Sequence, residues 1–96
     1  MYRQIELDPE RIKTKQDMKV YLTELFRFEE EYAAVNLDAL NDSLSEITDQ
    51  IDIILTPDSI MKICDDAYSY KVLLVLGRAA EENPNIKVLF REGTPR

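Results

Sequence analysis

The sequence contains no histidine, a single cysteine (Cys64) and only two glycines. Without histidine the chain lacks the Ser–His–Asp and Cys–His nucleophile arrangements and every His-containing metal site. One cysteine cannot form an internal disulfide, which is typical of proteins from a reducing compartment. Gly77 and Gly93 stand far apart, so there is no Gly-rich phosphate loop. A calcium loop is also excluded, because the acid-rich residues 28–61 contain no glycine for its sharp turn and no D-x-[DN]-x-[DN]-G spacing. We therefore expect a protein that is not an enzyme and that has no cofactor and no metal.

Long apolar runs are also missing. No stretch approaches 18 consecutive apolar residues, and the first residues, MYRQIELDPE, hold no apolar run of signal-peptide length. These features predict a cytoplasmic protein that does not enter a membrane. The 96 residues, 45% of them apolar and 32% charged, suffice for one domain spanning 1–96. We expect its last residues, 91–96, to be frayed.

Positive charge is absent from the middle of the chain. Residues 28–61 include nine acidic side chains and neither lysine nor arginine, whereas the remainder carries ten acids and twelve bases. Nucleic-acid binding needs Lys and Arg to neutralise phosphates, so this pattern argues against a nucleic-acid partner. It favours a basic protein partner, whose encounter it would speed, or a solvated surface that only keeps the protein soluble.

Apolar spacing and capping residues predict seven regular elements. Thr14, Asn36 and Thr56 are interpreted as N-caps, and Pro57 as the first residue of its helix. The predicted elements are a strand at 2–7, helices at about 14–27 and 37–47, a strand at 51–55, helices at about 57–65 and 68–82, and a strand at 86–90. This order indicates an α/β fold, with a three-stranded parallel sheet in the order 1-2-3 and about four helices on one face.

The positions of two residues inside these helices predict how they pack. Cys64 falls on the apolar face of helix 57–65, which predicts a small core residue. Gly77 lies inside helix 68–82, where glycine costs up to about 1 kcal/mol relative to alanine. We therefore expect a close packing contact at Gly77.

The helix at 37–47 has two regular faces. Its inner stripe is Leu37, Leu40, Leu44 and Ile47. A polar stripe on another side follows at i, i+3, i+4, i+7 and i+11, and consists of Asp38, Asn41, Asp42, Ser45 and Asp49. The helix is therefore predicted to be amphipathic, with an acidic outward face.

One tripeptide in this helix suggests a different class of protein. Asp42, Ser43 and Leu44 form a DSL sequence that resembles the phosphopantetheine attachment site of acyl carrier proteins. Carrier proteins are helical bundles, whereas 51–55 and 86–90 are predicted strands, and Ser43 lies about two turns into its helix. A carrier modified at Ser43 and an acidic binding module for another basic protein are the two alternatives.

Residues 32–47, YAAVNLDALNDSLSEI, resemble the barstar family of intracellular ribonuclease inhibitors. The family pattern is an aromatic loop followed by N-L-D-A-L, one residue, Asp, one residue, Leu. The positions that match in register are Asn36, Leu37, Asp38, Ala39, Leu40, Asp42 and Leu44. The order of elements along the whole chain is also similar. The departures are Ala33 in place of Tyr, Ala34 in place of Gly, Asn41 in place of Trp, and Arg78 where an acid is expected.

The resemblance implies a barstar-like fold and an inhibitor, or immunity protein, of a basic secreted ribonuclease or a related toxin. Helix 37–47 and the loop before it would enter the enzyme's active site, where carboxylates would take the place of RNA phosphates among basic side chains. Asp42 would be the central anchor. The other contact positions that the resemblance implies are Tyr32, Asn36, Asp38, Asn41, Ser45 and Glu82.

Several of these residues also have a purely structural interpretation. Asp38 lies near a helix N-terminus, where a negative charge complements the helix dipole. Asn36 is an N-cap, and Tyr32 can be a local core aromatic. Ala34 would cost about 1 kcal/mol if its position requires a positive φ.

Overall fold

The computed structural model describes residues 2–30 and 32–91. The elements are β1 (Tyr2–Glu6), a 3-10 turn (Pro9–Arg11), α1 (Lys15–Leu25), α2 (Leu37–Ser45), β2 (Gln50–Leu55), α3 (Pro57–Cys64), α4 (Ala67–Glu82) and β3 (Ile86–Phe90). The predicted order of strands and helices is confirmed, and the 3-10 turn is an addition. The predicted helix 14–27 ends early, at Leu25, because Arg27 adopts a left-handed conformation (φ 58°) that stops the helix.

The three strands form one parallel sheet in the order β1-β2-β3, as predicted. Ile53 lies opposite Ile5 on one side and Val88 on the other. These strands contribute one apolar face to the core, and the four helices contribute the other. The fully buried helix residues in this core are Met18, Leu22, Leu40, Leu44, Ile63, Val72 and Leu76. The protein is therefore α/β, with helices packed on a single face of the sheet.

The predicted caps hold the helix starts. The side chains of Thr14, Asn36 and Thr56 each accept a hydrogen bond from a backbone N–H three residues later. Asp66 does the same for α4 by accepting from Ser69. Each cap satisfies a backbone donor that would otherwise have no partner at a helix N-terminus.

Both packing predictions inside the helices are wrong. Cys64 is exposed, because α3 buries a narrow stripe through Ser59 and Ile63, and Cys64 lies one helical step beyond it. Gly77 has no close contact, since a Cβ atom at that position would find nothing within 4 Å. Glycine is therefore not required there by the packing of this chain.

Central strand β2 is buried on both faces. Ile51, Ile53 and Leu55 point into the core, whereas Asp52 and Ile54 alternate to the opposite face. That face receives no helix, yet Asp52 and Ile54 are only 8% and 5% exposed. Parallel sheets are normally covered on both faces, so something else must shield this one.

Side chains from the two edge strands provide that shield. The Tyr2 hydroxyl donates a hydrogen bond to the Asp52 carboxylate at 2.5 Å. Arg91 Nη1 lies 3.1 Å from Glu6 Oε2, an ion pair that joins the end of β3 to the end of β1 across Ile54. We call Tyr2, Glu6, Asp52 and Arg91 the open-face cluster.

The ends of the chain and its longest helices complete the description. The frayed tail predicted at 91–96 lies outside the described residues, apart from Arg91, whose N–H donates to the Leu55 carbonyl at 2.8 Å. Among the described residues, no helix has the length and apolar content needed to cross a bilayer.

Candidate protein-binding surface

One side of α2 presents a row of carboxylates to solvent. Leu40 and Leu44 bury the opposite side of this helix. Asp38, Asp42 and the C-cap residue Glu46 follow at i, i+4 and i+8, and all three are exposed. We call these three residues the acidic ridge. Asp42 lies at its centre and is not covered by any of the residues that the structure describes.

The acidic ridge does not stabilise its own helix. Among the described residues, no Lys or Arg forms an ion pair with Asp38, Asp42 or Glu46. Like charges at i and i+4 repel each other. Asp38 complements the helix dipole, but Glu46 at the C-terminus opposes it, and α2 has no basic residue in its last turn. Helix stability therefore does not explain Asp42 and Glu46.

The loop before α2 exposes an aromatic side chain. Tyr32 is 64% exposed, so it is not the core aromatic that was one interpretation of the sequence. Its hydroxyl donates a hydrogen bond to Glu30, and that hydrogen bond raises the Tyr32 pKa. The next two residues, Ala33 and Ala34, are buried. Among the described residues other than glycine, only Arg27 has a positive φ, so the predicted strain at Ala34 does not arise.

Ser43 connects this loop to the helix. Its hydroxyl donates to the Ala33 carbonyl at 2.8 Å, and the side chain is half-buried in the middle of α2. A serine that accepts a phosphopantetheine group must offer a free hydroxyl. The geometry therefore does not favour the carrier alternative.

The remaining predicted contact residues lie in three different places. Ser45 and Asn36 flank the acidic ridge on α2; Ser45 is exposed and donates to the Asp42 carbonyl at 2.6 Å, and Asn36 accepts from the Ala39 N–H at 2.7 Å. Asn41 is half-buried and faces α4. Glu82 is exposed, but it lies on a different element, as the last residue of α4.

A buried asparagine fixes the far end of α2. Asn83 is 6% exposed, and its side-chain amide donates to the carbonyls of Leu44 (2.9 Å) and Ile47 (3.0 Å). Leu44 lies in the last turn of α2 and Ile47 lies two residues beyond its end, so both bonds fasten this end of the helix to the residue that follows α4. Sequence reasoning interpreted residues 83–85 only as a helix stop, because nothing in the sequence indicates which carbonyls an asparagine will reach.

A groove of about 910 Å³ runs between α2 and α4, beside the acidic ridge. Asp38 and Asn41 belong to its α2 wall. Its α4 wall includes Lys71, Leu74, Arg78 and Glu81, at i, i+3, i+7 and i+10, together with Leu73, Val75 and Gly77. We call this the α2–α4 groove. The helical spacing of these α4 residues can be read from the sequence, but sequence reasoning predicts no groove here, and its one contact on α4, Glu82, is implied by the family resemblance.

Neither a search for metal sites nor the comparison with known proteins assigns a function to this surface. Within residues 2–30 and 32–91, no three Cys, Asp or Glu side chains are placed to hold a metal ion. No family model matches the chain, and no curated protein matches it. The function must therefore be argued from the acidic ridge and its surroundings.

Proposed function

We propose that the protein is a barstar-like cytoplasmic inhibitor of a basic secreted ribonuclease or a related toxin, acting through the acidic ridge and Tyr32. The observation that carries this proposal is the position of Asp42. It is an exposed carboxylate at the centre of a row of carboxylates, and the described part of the chain offers it no cation. The charge is therefore available to a partner.

Rigidity supports the proposal. Asn36 caps the N-terminus of α2, and the side-chain amide of Asn83 holds carbonyls at its C-terminus. The Ser43 hydroxyl adds a bond to the preceding loop. Binding by this surface would order few groups, so less of the interaction free energy would be lost as conformational entropy.

The chemistry suits a site that binds phosphates. A ribonuclease holds the RNA backbone with cationic side chains, and a carboxylate on a fixed helix can form charge-assisted hydrogen bonds with the same groups. Residues four apart on a helix are about 6 Å apart along its axis, so neighbouring carboxylates can meet different cations. Inhibition would result from occupation of the active site, without a chemical step.

The test is an inhibition assay with purified, small, basic secreted ribonucleases and the full chain. We expect inhibition of at least one enzyme, and a loss of affinity of about 30-fold or more for Asp42→Ala, the size of a central interface contact. Glu24→Ala removes the same charge from an exposed position on α1. That control should change affinity less than about threefold, because outlying charges act mainly on the association rate.

Two results would contradict the proposal. The first is the absence of inhibition across the enzymes. The second is an equal effect of Asp42→Ala and Glu24→Ala, which would mean that only net charge matters and that Asp42 is no anchor.

A further inference from the structure

The α2–α4 groove has a different chemistry from the acidic ridge beside it. Its α4 wall carries two cations, Lys71 and Arg78, with Leu74 between them on the same side of the helix. The lining also includes two carboxylates, Glu81 at the end of that wall and Asp38 on the α2 wall. None of the described acidic side chains forms an ion pair with either cation. The groove therefore offers two cations to a partner, whereas the acidic ridge offers only carboxylates.

Apolar side chains line the same groove without being covered. Leu74 is 54% exposed and Phe90, at the end of β3, is 73% exposed. Both belong to the groove lining, together with the buried Leu55. An apolar side chain from outside could therefore be buried against them.

Gly77 keeps the groove open along the backbone of α4. It lines the groove, and a Cβ atom there would meet nothing within 4 Å. A glycine inside a helix destabilises it relative to alanine, and neither the backbone conformation nor the packing of this chain requires one here. The consequence of the missing side chain is room for another molecule to approach α4 closely.

We propose that the α2–α4 groove binds a protruding segment of the partner protein that carries an apolar side chain next to a carboxylate. The apolar side chain packs on Leu74 and Phe90 over Gly77, and the carboxylate pairs with Arg78 or Lys71. This step rests on the proposed function in one respect, namely that the segment belongs to the partner of the acidic ridge. Asp38 lies on both surfaces, so one partner can cover the two together.

The consequence concerns specificity. The partner's contact surface would be basic opposite Asp42 and acidic opposite Arg78. A basic enzyme that presents a cation to Arg78 would be repelled there, since like charges across an interface are unfavourable. Arg78 would thus select among basic enzymes that all attract the acidic ridge.

The test uses the ¹⁵N-labelled full chain and two capped peptides that share the central Leu-Phe and carry opposite charges at both ends, acetyl-Asp-Leu-Phe-Asp-amide and acetyl-Lys-Leu-Phe-Lys-amide. We expect the acidic peptide to shift the amide signals of Gly77 and Arg78 in a saturable titration, although the net charge of the protein opposes its approach. Gly77 is one of only two glycines, so its signal is easily assigned. The basic peptide should instead shift the signals of Asp42 and Glu46.

Four variants locate the binding. Arg78→Glu should lower the affinity for the acidic peptide by about three- to fivefold, as expected for an exposed charge pair. Gly77→Gln should abolish the saturable shift by filling the groove, and it should fold normally because its Cβ meets no atom. Lys15→Glu, the same charge change on α1, should leave the affinity unchanged. Asp42→Ala should also leave it unchanged, which separates the groove from the acidic ridge.

Three results would overturn the inference. They are an acidic peptide that gives no saturable shift, equal effects of Arg78→Glu and Lys15→Glu, or both peptides shifting the same signals. No ribonuclease is present in this experiment. Its outcome is therefore independent of the inhibition assay, and failure of one proposal can be told from failure of the other.

Discussion

The acidic ridge and the open-face cluster are two charged surfaces that differ in whether their carboxylates have partners within the described residues. In the open-face cluster, Asp52 accepts a hydrogen bond from Tyr2 and Glu6 pairs with Arg91, so each carboxylate has a partner within the chain. On the acidic ridge, the described part of the chain provides no cation for any carboxylate. Residues of the same chemical type therefore serve the fold on one surface and remain available to a partner on the other.

Sequence position explains part of this difference. The carboxylates of the open-face cluster lie on strands of a parallel sheet, where neighbours far apart in sequence come within hydrogen-bond distance. Those of the acidic ridge lie on one helix, where their i and i+4 neighbours are also acidic. A helix in this arrangement gains no stability from its charges, which supports the proposed binding role of the acidic ridge.

The largest expected effect tests whether the acidic ridge is held in place by the body of the protein. Asn83→Ala should reduce the free energy of unfolding by about 2–3 kcal/mol, because it removes the two hydrogen bonds to the Leu44 and Ile47 carbonyls and the bond that Asn83 Oδ1 accepts from the Asn85 N–H. Urea denaturation measures this loss. Hydrogen exchange at Leu44 and Glu46 should accelerate more than exchange in β2, since the damage is local to α2.

Asn85→Ala is the matched control for that variant. Asn85 is half-buried and donates one side-chain hydrogen bond, to the Ile47 carbonyl at 3.1 Å. Its replacement should cost about 1 kcal/mol. If the two variants prove equally stable, Asn83 is not what fixes the acidic ridge.

A smaller effect is a change in melting temperature on removal of charge, which should have opposite signs for the two surfaces. Neutralising the acidic ridge with Asp42→Asn and Glu46→Gln should raise the melting temperature by about 2–4 °C, because it removes two repulsive i, i+4 pairs and a charge that opposes the helix dipole. Neutralising the open-face cluster with Asp52→Asn and Glu6→Gln should lower the melting temperature. Differential scanning calorimetry at pH 7 measures both double variants.

The same calorimetry can contradict this difference between the two surfaces. A melting temperature that falls for the acidic ridge variant would mean that its carboxylates stabilise the fold through interactions of their own. The binding interpretation of α2 would then lose its main physical argument.

The architecture could be predicted from the sequence because its signals are local. Thr14, Asn36 and Thr56 mark helix starts by their capping chemistry, and Ile51–Leu55 marks a buried strand by its β-branched residues. The acidic side of α2 follows from spacing in the same way. Such features need only neighbouring residues to be recognised.

What sequence reasoning missed depends on residues that are distant in the chain. Asn83 reaches carbonyls 36 and 39 residues away, and the Tyr2–Asp52 hydrogen bond spans 50 residues. The position of Gly77 inside a helix predicts a packing contact, but the space around that position depends on tertiary packing, which the neighbouring residues do not reveal. Window 28–61 is likewise not one surface, since Asp52 is buried on the sheet while the acidic ridge is exposed.

The smallest expected effect is a pH dependence of stability that arises from Tyr2 in the open-face cluster. The hydrogen bond to Asp52 raises the Tyr2 pKa above its ordinary value, so folding favours the neutral phenol. This contribution to stability is fully present below about pH 10 and is lost as the pH rises through the folded pKa. Tyrosine ¹³C titration of the native protein should show that pKa falling in Asp52→Asn, while the Tyr32 pKa, which depends on Glu30, stays raised. Equal titration of Tyr2 in both proteins would mean that Asp52 is not its partner, and the paired character of this surface would then depend on Glu6 and Arg91 alone.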